Sequence, residues 1–340
     1  MIDPFRGHRI KWTLLLGDLL KSQDYKLNLM LVADPIDFSS IPLERLRDTF
    51  QTVTIYHSMA DVKREILKLG KDSYLYLFPD LEKYAIWLIR TRVSFKGVFM
   101  RPYIEGSGLR FIKIWLGKRL IRFASQFIDS ADIRYLSIPY QREHKFKKNW
   151  VKDDLTLFEA IKWIPLVEKN MDKFQNTICI PGFLDTRKSI ELPIDSLYKF
   201  NETAPVKNEI LFIGKASQTF KDELLDKSLE GVNFIDSYLN ETEYFELIAN
   251  SQLILLPYSN RGASGIAIEA LVFGTPVIIV GNKNWSNLSR KTQHHIRFQP
   301  SNVALIASSI SKSIKMTRTS YATLLEKERL TNISDFMLNE

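Results

Sequence analysis

Short apolar runs of strand length alternate with amphipathic stretches of helical length along nearly the whole chain. This alternation is typical of α/β proteins with parallel sheets, and it predicts strands in both halves of the sequence. In the first half the predicted strands are 26–34, 52–57, 73–78, 96–102 and 133–139, and the predicted helices are 10–22, 59–70, 81–92 and 108–128. In the second half the predicted strands are TICIPG, EILFIG, VNFIDS, LILLPY, PVIIV and IRFQ.

The 340 residues are enough for two such domains. Ile164-Pro165 suits a turn out of the first domain, so we predict domains over 1–170 and 171–317. The tail, 318–340, predicts a helix that packs back on the first domain. The turn-like PFRGHR begins only four residues into the chain, where an α/β domain normally has a buried strand. Either the first three residues are the stump of a truncated first strand, or the true start codon lies upstream.

The chain contains one cysteine, Cys179, which excludes an internal disulfide and favours a reducing compartment. In TICIPG this cysteine alternates with apolar neighbours, so we expect it to pack in the core, although a thiol nucleophile is the alternative. No segment approaches the roughly 20 apolar residues of a membrane span, and the N-terminus has no apolar stretch suited to a signal peptide. The sequence therefore predicts a cytoplasmic protein.

The positive charge is concentrated in the first half. The net charge is +8, and residues 1–170 contain 29 Lys and Arg against 20 Asp and Glu. Within 90–148 the count is 14 against 4. Such an asymmetry indicates an anionic partner, either a membrane surface or a nucleic acid, and no nucleic-acid-binding signature is present.

The predicted helix over 108–128 interleaves cations with apolar and aromatic residues, as interfacial helices do. We predict that it docks the protein on the anionic inner face of the plasma membrane. The alternative is a core-packing helix with exposed cations. The docking residues would be Lys113, Trp115, Lys118, Arg119 and Arg122.

The richest chemistry lies in 253–280, where an apolar strand ends at Pro257 and a loop of small residues leads into a helix. The first turn of that helix offers unpaired N–H groups, and Ser264 and Gly265 let an anion approach closely, so a phosphate site is predicted there. Glu269, one turn later, would accept hydrogen bonds from neutral hydroxyls such as those of a ribose. The alternative is a glutamate that only interacts with its helix dipole. The Gly-Thr-Pro at 274–276 predicts the end of the helix.

This segment resembles the donor-binding signature of retaining glycosyltransferases of the GT-B fold, family four. Glu269-Ala270 and the Gly-Thr-Pro-Val at 274–277 match the pattern. The first Glu of the pattern, which helps hold the transferred sugar in the family, falls on Arg261. This arginine either pairs with donor phosphates or is a solvated loop residue.

A second element of the family follows TICIPG, where Gly182, Leu184 and Lys188 lie in the family's register. The resemblance implies that Lys188 contacts the donor diphosphate, and the adjacent Arg187 compensates for an arginine that is Phe183 here. It also implies that Gly214 forms the next glycine turn and that the backbone near Tyr238 meets the nucleotide base.

The first half resembles the family in layout only. Gly7 and His8 lie at the turn that approaches the donor phosphate and the acceptor, and Arg101 lies where relatives often carry a histidine facing the transferred sugar. We expect Arg101, Arg261 and His8 in catalytic positions and Gly7 in the acceptor loop.

The resemblance implies two Rossmann-like domains that face each other across a cleft. It implies sugar transfer from a nucleoside diphosphate sugar, with a UDP-sugar as co-substrate and no other cofactor. The acceptor would be a saccharide or lipid-linked glycan in cell-surface polysaccharide or lipopolysaccharide biosynthesis. No metal site is predicted, because the chain has no Asp-x-Asp motif at a strand end. The alternatives are a sugar-nucleotide epimerase and a non-catalytic partner subunit of the same fold.

Overall fold

The computed structural model describes most of the secondary structure of the chain. The residues it describes are 9–22, 26–32, 43–69, 74–78, 85–91, 94–99, 116–117, 120–121, 123, 131–136, 150–152, 154–167, 174, 176–185, 188–225, 229–237, 239–257, 264–280, 296–318, 331–332 and 335. These residues belong to two compact units. The first comprises 1–137, 145–155 and 329–340, and the second comprises 138–144 and 156–328.

The first unit is built from helices and short parallel strands. Its elements are α1 (Arg9–Lys21), β1 (Asn28–Val32), α2 (Leu43–Thr49), β2 (Thr52–Tyr56), α3 (Met59–Leu69), β3 (Tyr76–Phe78), α4 (Ala85–Thr91), β4 (Phe95–Phe99), β5 (Ala131–Leu136) and β6 (Trp150–Lys152). Strands β1 and β2 form one parallel pair. A second, parallel sheet has the order β13-β6-β5-β4-β3, in which β13 is Thr331–Asn332.

The second unit contains one larger parallel sheet. Its elements are α5 (Asp154–Trp163), which begins in the first unit, then β7 (Thr177–Pro181), α6 (Glu191–Asn201), β8 (Glu209–Ile213), α7 (Gln218–Leu225), β9 (Val232–Ile235), α8 (Glu241–Asn250), β10 (Leu253–Leu256), α9 (Gly265–Phe273), β11 (Val277–Val280), β12 (Ile296–Gln299) and α10 (Val303–Ser313). The six strands are ordered β12-β11-β10-β7-β8-β9. This is the strand order of a doubly wound dinucleotide-binding sheet, with the first strand next to the centre.

Burial on both faces explains why the strands of the second unit are continuous apolar runs in the sequence. All residues of β10 and β11 are buried, and so are four of the five residues of β7. Helices α6 and α10 complete the core through Ile194, Leu197 and Ile306. A parallel sheet covered by helices has no solvated face, so its strands lose the alternation of polar and apolar residues.

The α/β architecture with parallel sheets is confirmed in both units, and each predicted strand has an observed counterpart. The short strands β6 and β13 were not predicted. The predicted helix over 318–340 is wrong at Thr331 and Asn332, which pair with Val151 and Lys152 of β6 because that sheet edge offers backbone hydrogen bonds. The boundary also differs from the predicted one near residue 170. Contacts assign α5 from Thr156 onward to the second unit, since Trp163 stacks on Phe245 with ring centroids 5.1 Å apart.

Candidate functional site

The sheet of the second unit reverses its order between β7 and β10. These strands lie side by side, with Leu253 opposite Ile178 and Ile254 opposite Cys179. The chain continues from β7 toward β8 and β9 and from β10 toward β11 and β12. The loops after the two central strands therefore diverge, and ligands of open α/β sheets bind in the crevice that this divergence leaves at the carboxyl edge.

Gly182 lies directly after β7, at the carboxyl edge where this crevice is expected. Its backbone φ of +96° lies in a region that residues other than glycine rarely adopt. A Cβ at this position would lie 3.2 Å from Ile266 Cδ1 and 3.5 Å from Lys188 Nζ. The structure therefore brings together Gly182, Lys188 and Ile266 in the first turn of α9.

Gly214, after β8, supports the same edge. Its φ is +137°, and a Cβ there would lie 2.3 Å from the carbonyl oxygen of Gly182. The next residues also connect the two loops, because Leu184 N–H donates to the Lys215 carbonyl at 2.9 Å and Ser217 N–H donates to the Leu184 carbonyl at 2.8 Å. The turns at Gly182 and Gly214 thus pack directly against each other. We call residues 182–184 and 214–217 together the ledge.

Asp236, after β9, fixes the outer end of this ledge. It accepts a hydrogen bond from Ala216 N–H at 3.0 Å and forms ion pairs with Lys221 and, at 3.6 Å, with Lys215. The hydrogen bond from Lys221 is the main cause that holds the pKa of Asp236 below its usual range. The motif analysis missed Asp236, because a single aspartate after a short strand carries no signature.

Lys188 places a cationic group inside the crevice wall. The residue is 4% exposed, and its Nζ donates to the carbonyl oxygen of Pro181 at 2.5 Å, at the carboxyl end of β7. A buried ammonium group requires nearby electronegative partners, which the last carbonyl of the strand supplies. The residue is thus held beside Gly182.

The N-terminus of α9 carries an unsatisfied hydroxyl. Ser264 is the N-cap, yet its side chain makes no capping hydrogen bond, and its Oγ is buried without a hydrogen-bond partner among the described residues. The residue is 6% exposed, and the first turn of α9 contains no acidic residue. An anion at this position would accept from Ser264 Oγ and from the N–H groups of the first helical turn.

Glu269 lies one turn into α9 and is 1% exposed. Its Oε2 accepts a hydrogen bond from the Tyr244 hydroxyl of α8 at 2.5 Å. The neighbouring Phe245 is fully buried, and its ring contacts the rings of Trp163 and Phe273. This aromatic packing fixes the part of α8 that carries Tyr244. The sequence did not predict a role for Tyr244, because it lies 25 residues before Glu269 on a different helix.

The Gly-Thr-Pro-Val of the motif has a structural role. Gly274 ends α9 in a left-handed conformation, with φ of 74°. Thr275 Oγ1 donates to the carbonyls of Ile248 and Ala249, at 2.8 and 3.3 Å, and thereby connects the end of α9 to α8. This part of the motif therefore connects the carboxyl-terminal ends of α8 and α9.

Cys179 belongs to the core, as expected. It is fully buried in β7, and burial raises the pKa of its thiol to about 12. A thiol with this pKa is almost entirely protonated at neutral pH, so it is not a nucleophile.

The remaining predicted site residues lie outside the described residues. They are Gly7, His8, Arg101, Lys113, Trp115, Lys118, Arg119, Arg122, Arg187, Tyr238 and Arg261. The structure thus brings Gly182 and Lys188 together beside Ile266 of α9, the helix that also carries Ser264, Gly265 and Glu269. The roles of all these residues remain predictions.

The comparison with protein families locates this crevice within a known type of domain. Residues 175–315 match the family described as glycosyl transferases group 1. The resemblance to group 1 glycosyltransferases of the GT-B fold is confirmed. The matched range begins just before β7 and ends just after α10, so it contains the whole sheet and the crevice. No curated protein sequence matches the chain.

Solved structures of similar fold cover between 78% and 99% of this chain. WaaG, a glycosyltransferase involved in lipopolysaccharide biosynthesis, is 12% identical, with a TM-score of 0.56 over 99% of this chain and 97% of its own. A putative UDP-N-acetylglucosamine 2-epimerase from Listeria monocytogenes is 10% identical, with a TM-score of 0.56 over 95% of each chain. An E. coli structure described as trehalose-6-phosphate bound with UDP-2-fluoro glucose is 10% identical, with a TM-score of 0.54 over 78% of this chain and 71% of its own. At these identities the likeness establishes the fold, two Rossmann-like domains of the GT-B type.

The described residues contain neither a membrane-spanning helix nor a cluster of metal ligands. In that part of the chain, none of the helices has the length and apolar character needed to cross a membrane. Nor do three or more His, Cys, Asp or Glu side chains of those residues come together in a group that could hold a metal ion. Metal independence stays a prediction.

Proposed function

We propose that the protein is a retaining glycosyltransferase that transfers a sugar from UDP to a saccharide or lipid-linked acceptor, without a metal ion, in cell-surface polysaccharide or lipopolysaccharide biosynthesis. The observation that carries this proposal is the buried Ser264 hydroxyl, which has no hydrogen-bond partner among the described residues. It lies at the start of α9, whose Ile266 approaches Gly182, within the region that matches glycosyl transferases group 1. A diphosphate at this edge would give the Ser264 hydroxyl an acceptor, and a diphosphate is the group that a nucleoside diphosphate sugar would bring.

Leaving-group stabilisation is the chemistry that these residues can supply. When the bond between the sugar's anomeric carbon and the diphosphate oxygen breaks, both bonding electrons leave with the diphosphate, which gains negative charge. The N–H groups of the first turn of α9, the Ser264 hydroxyl and the Lys188 ammonium group are fixed before the reaction and act on that charge without reorganising. Fixed cations and dipoles of this kind can replace a metal ion.

Glu269 is assigned to the ribose. A carboxylate repels a phosphate, so a buried carboxylate one turn away from a phosphate site suits neutral hydroxyl donors. The Tyr244 hydroxyl already donates to Oε2 and holds the carboxylate in one orientation. Tyr244 is therefore a positioning residue for the nucleotide.

The transfer step balances without an external reactant. The acceptor hydroxyl oxygen forms a bond to the anomeric carbon on the face from which the diphosphate departs, and the acceptor proton passes to a donor phosphate oxygen. The products are the glycosylated acceptor and the protonated nucleoside diphosphate. Arg261 near the phosphates and Arg101 near the transferred sugar remain predictions, because both residues lie outside the described residues.

The test is a turnover assay with UDP-, GDP- and TDP-sugars, in which release of the nucleoside diphosphate is followed with and without saccharide acceptors. We expect acceptor-dependent release of UDP that Glu269→Gln lowers about tenfold or more, from loss of a charged hydrogen bond. The matched control is Glu159→Gln, because Glu159 is also a buried glutamate that accepts from an aromatic side chain, Trp163 Nε1 at 3.4 Å.

Each alternative predicts a different result. An epimerase converts the sugar nucleotide without an acceptor, and a non-catalytic subunit binds the nucleotide without turnover. Either outcome contradicts transferase activity. A Glu269→Gln variant that is as active as the wild type would contradict the assigned site even if transfer occurs.

The same proposal includes an anionic membrane surface as a partner of the first unit. Within the basic region 90–148, three large apolar side chains are exposed at helical spacing: Leu116 is 44% exposed, Leu120 63% and Phe123 59%. An exposed apolar row beside many cations is the composition of an interfacial helix. This observation supports a peripheral location on the inner face of the plasma membrane.

Co-sedimentation with liposomes tests this part. We expect binding to vesicles that contain anionic phospholipid, weak binding to neutral vesicles, and loss of binding when Lys118, Arg119 and Arg122 are replaced by Glu. The control is a triple replacement by Glu of Lys199, Lys207 and Lys312, which are exposed in the second unit. Equal binding by both triple variants would overturn the assignment.

A further inference from the structure

Two exposed side chains lie at neighbouring positions of the ledge. Leu184 and Ala216 form a parallel bridge beyond the ends of β7 and β8, and both belong to the buried core that includes residues of α6 and α7. Phe183 and Lys215 each come one residue before that bridge, so they occupy equivalent positions on neighbouring segments. Because successive side chains of an extended segment point to opposite sides, these two point away from the core. Phe183 is 48% exposed, and the side chain of Lys215 is 44% exposed.

The backbone on both sides of Phe183 is fixed by hydrogen bonds. Gly182 N–H donates to the Ile213 carbonyl at 3.0 Å, and Leu184 N–H donates to the Lys215 carbonyl at 2.9 Å. A phenylalanine side chain has only two rotatable bonds, so a ring on such a backbone loses little conformational entropy when a ligand contacts it. The exposed ring is therefore available as a contact surface.

Asp236 orients the ammonium group of Lys215. Its Oδ1 lies 3.6 Å from Lys215 Nζ, and the same carboxylate pairs with Lys221 and accepts a hydrogen bond from Ala216 N–H. One carboxylate thus faces two ammonium groups, so these three side chains together carry one excess positive charge. An ammonium group has three N–H donors, and Lys215 can donate to a ligand while it remains paired with Asp236.

Both side chains lie where the ledge meets the crevice. Phe183 directly follows Gly182, and a Cβ added to that glycine would lie 3.2 Å from Ile266 Cδ1 in the first turn of α9. Lys215 directly follows Gly214, which packs against Gly182. The ring and the ammonium group are therefore at the carboxyl edge of the sheet, where ligands of open α/β sheets bind. An aromatic ring beside a hydrogen-bond donor suits a flat ligand that carries an oxygen acceptor.

Given the nucleotide site proposed above, on which this inference rests, we propose that Phe183 and Lys215 recognise the base of the nucleoside diphosphate. The ring of Phe183 stacks on the base, and the ammonium group of Lys215 donates to a carbonyl oxygen on its Watson–Crick edge. Uracil and thymine carry O4 there and guanine carries O6, whereas cytosine and adenine carry an amino group, which cannot accept from an ammonium group. Stacking tolerates every base. The lysine therefore discriminates between bases, and the phenylalanine contributes affinity for all of them.

Calorimetric titration of the full chain with UDP, CDP and inorganic pyrophosphate tests the two roles separately. We expect the wild type to bind UDP at least ten times more tightly than CDP. Lys215→Met removes the donor, so UDP affinity should fall to about that of CDP while CDP affinity does not fall. Phe183→Ala removes the stacking surface, so the affinities for UDP and CDP should both fall about tenfold, whereas the affinity for pyrophosphate, which has no base, should be unchanged.

Matched controls are Lys199→Met and Phe158→Ala. Lys199 is an exposed lysine that pairs with Glu202, and Phe158 is an exposed phenylalanine of α5. Both control variants should keep the wild-type affinities for UDP and CDP.

The possible results separate the base contact from the nucleotide site. An unchanged ratio of UDP to CDP affinity in Lys215→Met, or equal losses of UDP and pyrophosphate affinity in Phe183→Ala, would overturn the base contact. The nucleotide site would stand if Glu269→Gln still weakened UDP binding. A wild-type chain that binds neither UDP nor CDP would overturn both proposals.

Discussion

Both units contain parallel sheets, but the described strands are arranged differently. Among the described residues, the strands of the second unit form one six-stranded sheet, whereas those of the first form the pair β1-β2 and a five-stranded sheet. In the second unit β7 lies at the centre, its neighbours pair with it on both sides, and the turn after it forms the candidate site. In the first unit, residues of α1, β1, β2, α3 and β3 line a cavity of about 390 Å³. In the second unit the central strand β7 therefore has two roles. It completes the core, and it positions the first loop of the candidate crevice.

The largest expected effect concerns the rigid ledge of the second unit. Gly214→Ala would place a Cβ against the backbone oxygen of Gly182 and force a residue with φ of +137° out of its conformation, so we expect a loss of about 3 kcal/mol or more of unfolding free energy. Gly17→Ala in the first unit is the matched test. Its Cβ would lie 2.6 Å from the Phe50 ring and from the Thr49 methyl group.

Gly17→Ala is expected to cost about 1 kcal/mol or less, because Phe50 lines the cavity and can shift into it, and alanine favours the helix. Urea denaturation of both variants measures the difference. Equal losses of unfolding free energy in the two variants would show that the first unit is packed as tightly around α1 as the second is at its glycine turns. That result would contradict the expected difference between the units.

The next effect concerns Tyr244, which distinguishes positioning from packing. Tyr244→Phe keeps the aromatic contact with Phe245 and removes the hydrogen bond to Glu269, so UDP affinity should fall about threefold to tenfold, from loss of about 1 kcal/mol. Calorimetric titration with UDP measures it. In the Glu269→Gln background, Tyr244→Phe should have a much smaller effect, and full additivity of the two changes would contradict the positioning role.

A smaller effect is expected at Ser264. Ser264→Ala removes a buried hydroxyl that has no partner among the described residues, so stability should be unchanged or rise by up to about 1 kcal/mol, while UDP affinity falls about fivefold. Ser313→Ala is the control, because Ser313 Oγ is also buried without a partner among the described residues but lies at the end of α10. If both variants weaken UDP binding equally, the Ser264 hydroxyl does not bind the phosphate.

The smallest effect is expected at Cys179. Burial raises the pKa of its thiol to about 12, so at pH 8 only about one thiol in 10,000 is ionised. Iodoacetamide should leave the folded protein unlabelled and its activity unchanged, and labelling should appear only in denaturant. The thiol becomes reactive as the pH rises toward 12, not as it falls. Rapid labelling at pH 8 would show that β7 opens locally.

The sequence was most informative where chemistry and fold coincide. Apolar runs located the strands, and the family motifs identified Gly182, Lys188 and Glu269, because conformations such as the φ of +96° at Gly182 require a particular residue type. Contacts between distant helices were not predictable, since Tyr244 meets Glu269 only after α8 and α9 pack. The short edge strand β13 was also missed, because two residues carry no periodicity.

The most direct test of the account is a hydrogen-exchange footprint of UDP on the full chain. We predict slower exchange in peptides that cover 182–188 and 264–268 when UDP is added, with no change in β1 or β3. Adenosine diphosphate at the same concentration serves as the control nucleotide and should give weaker protection. Absence of any protection by UDP, or protection confined to the first unit, would contradict the claim that the crevice beside β7 and α9 binds the nucleotide.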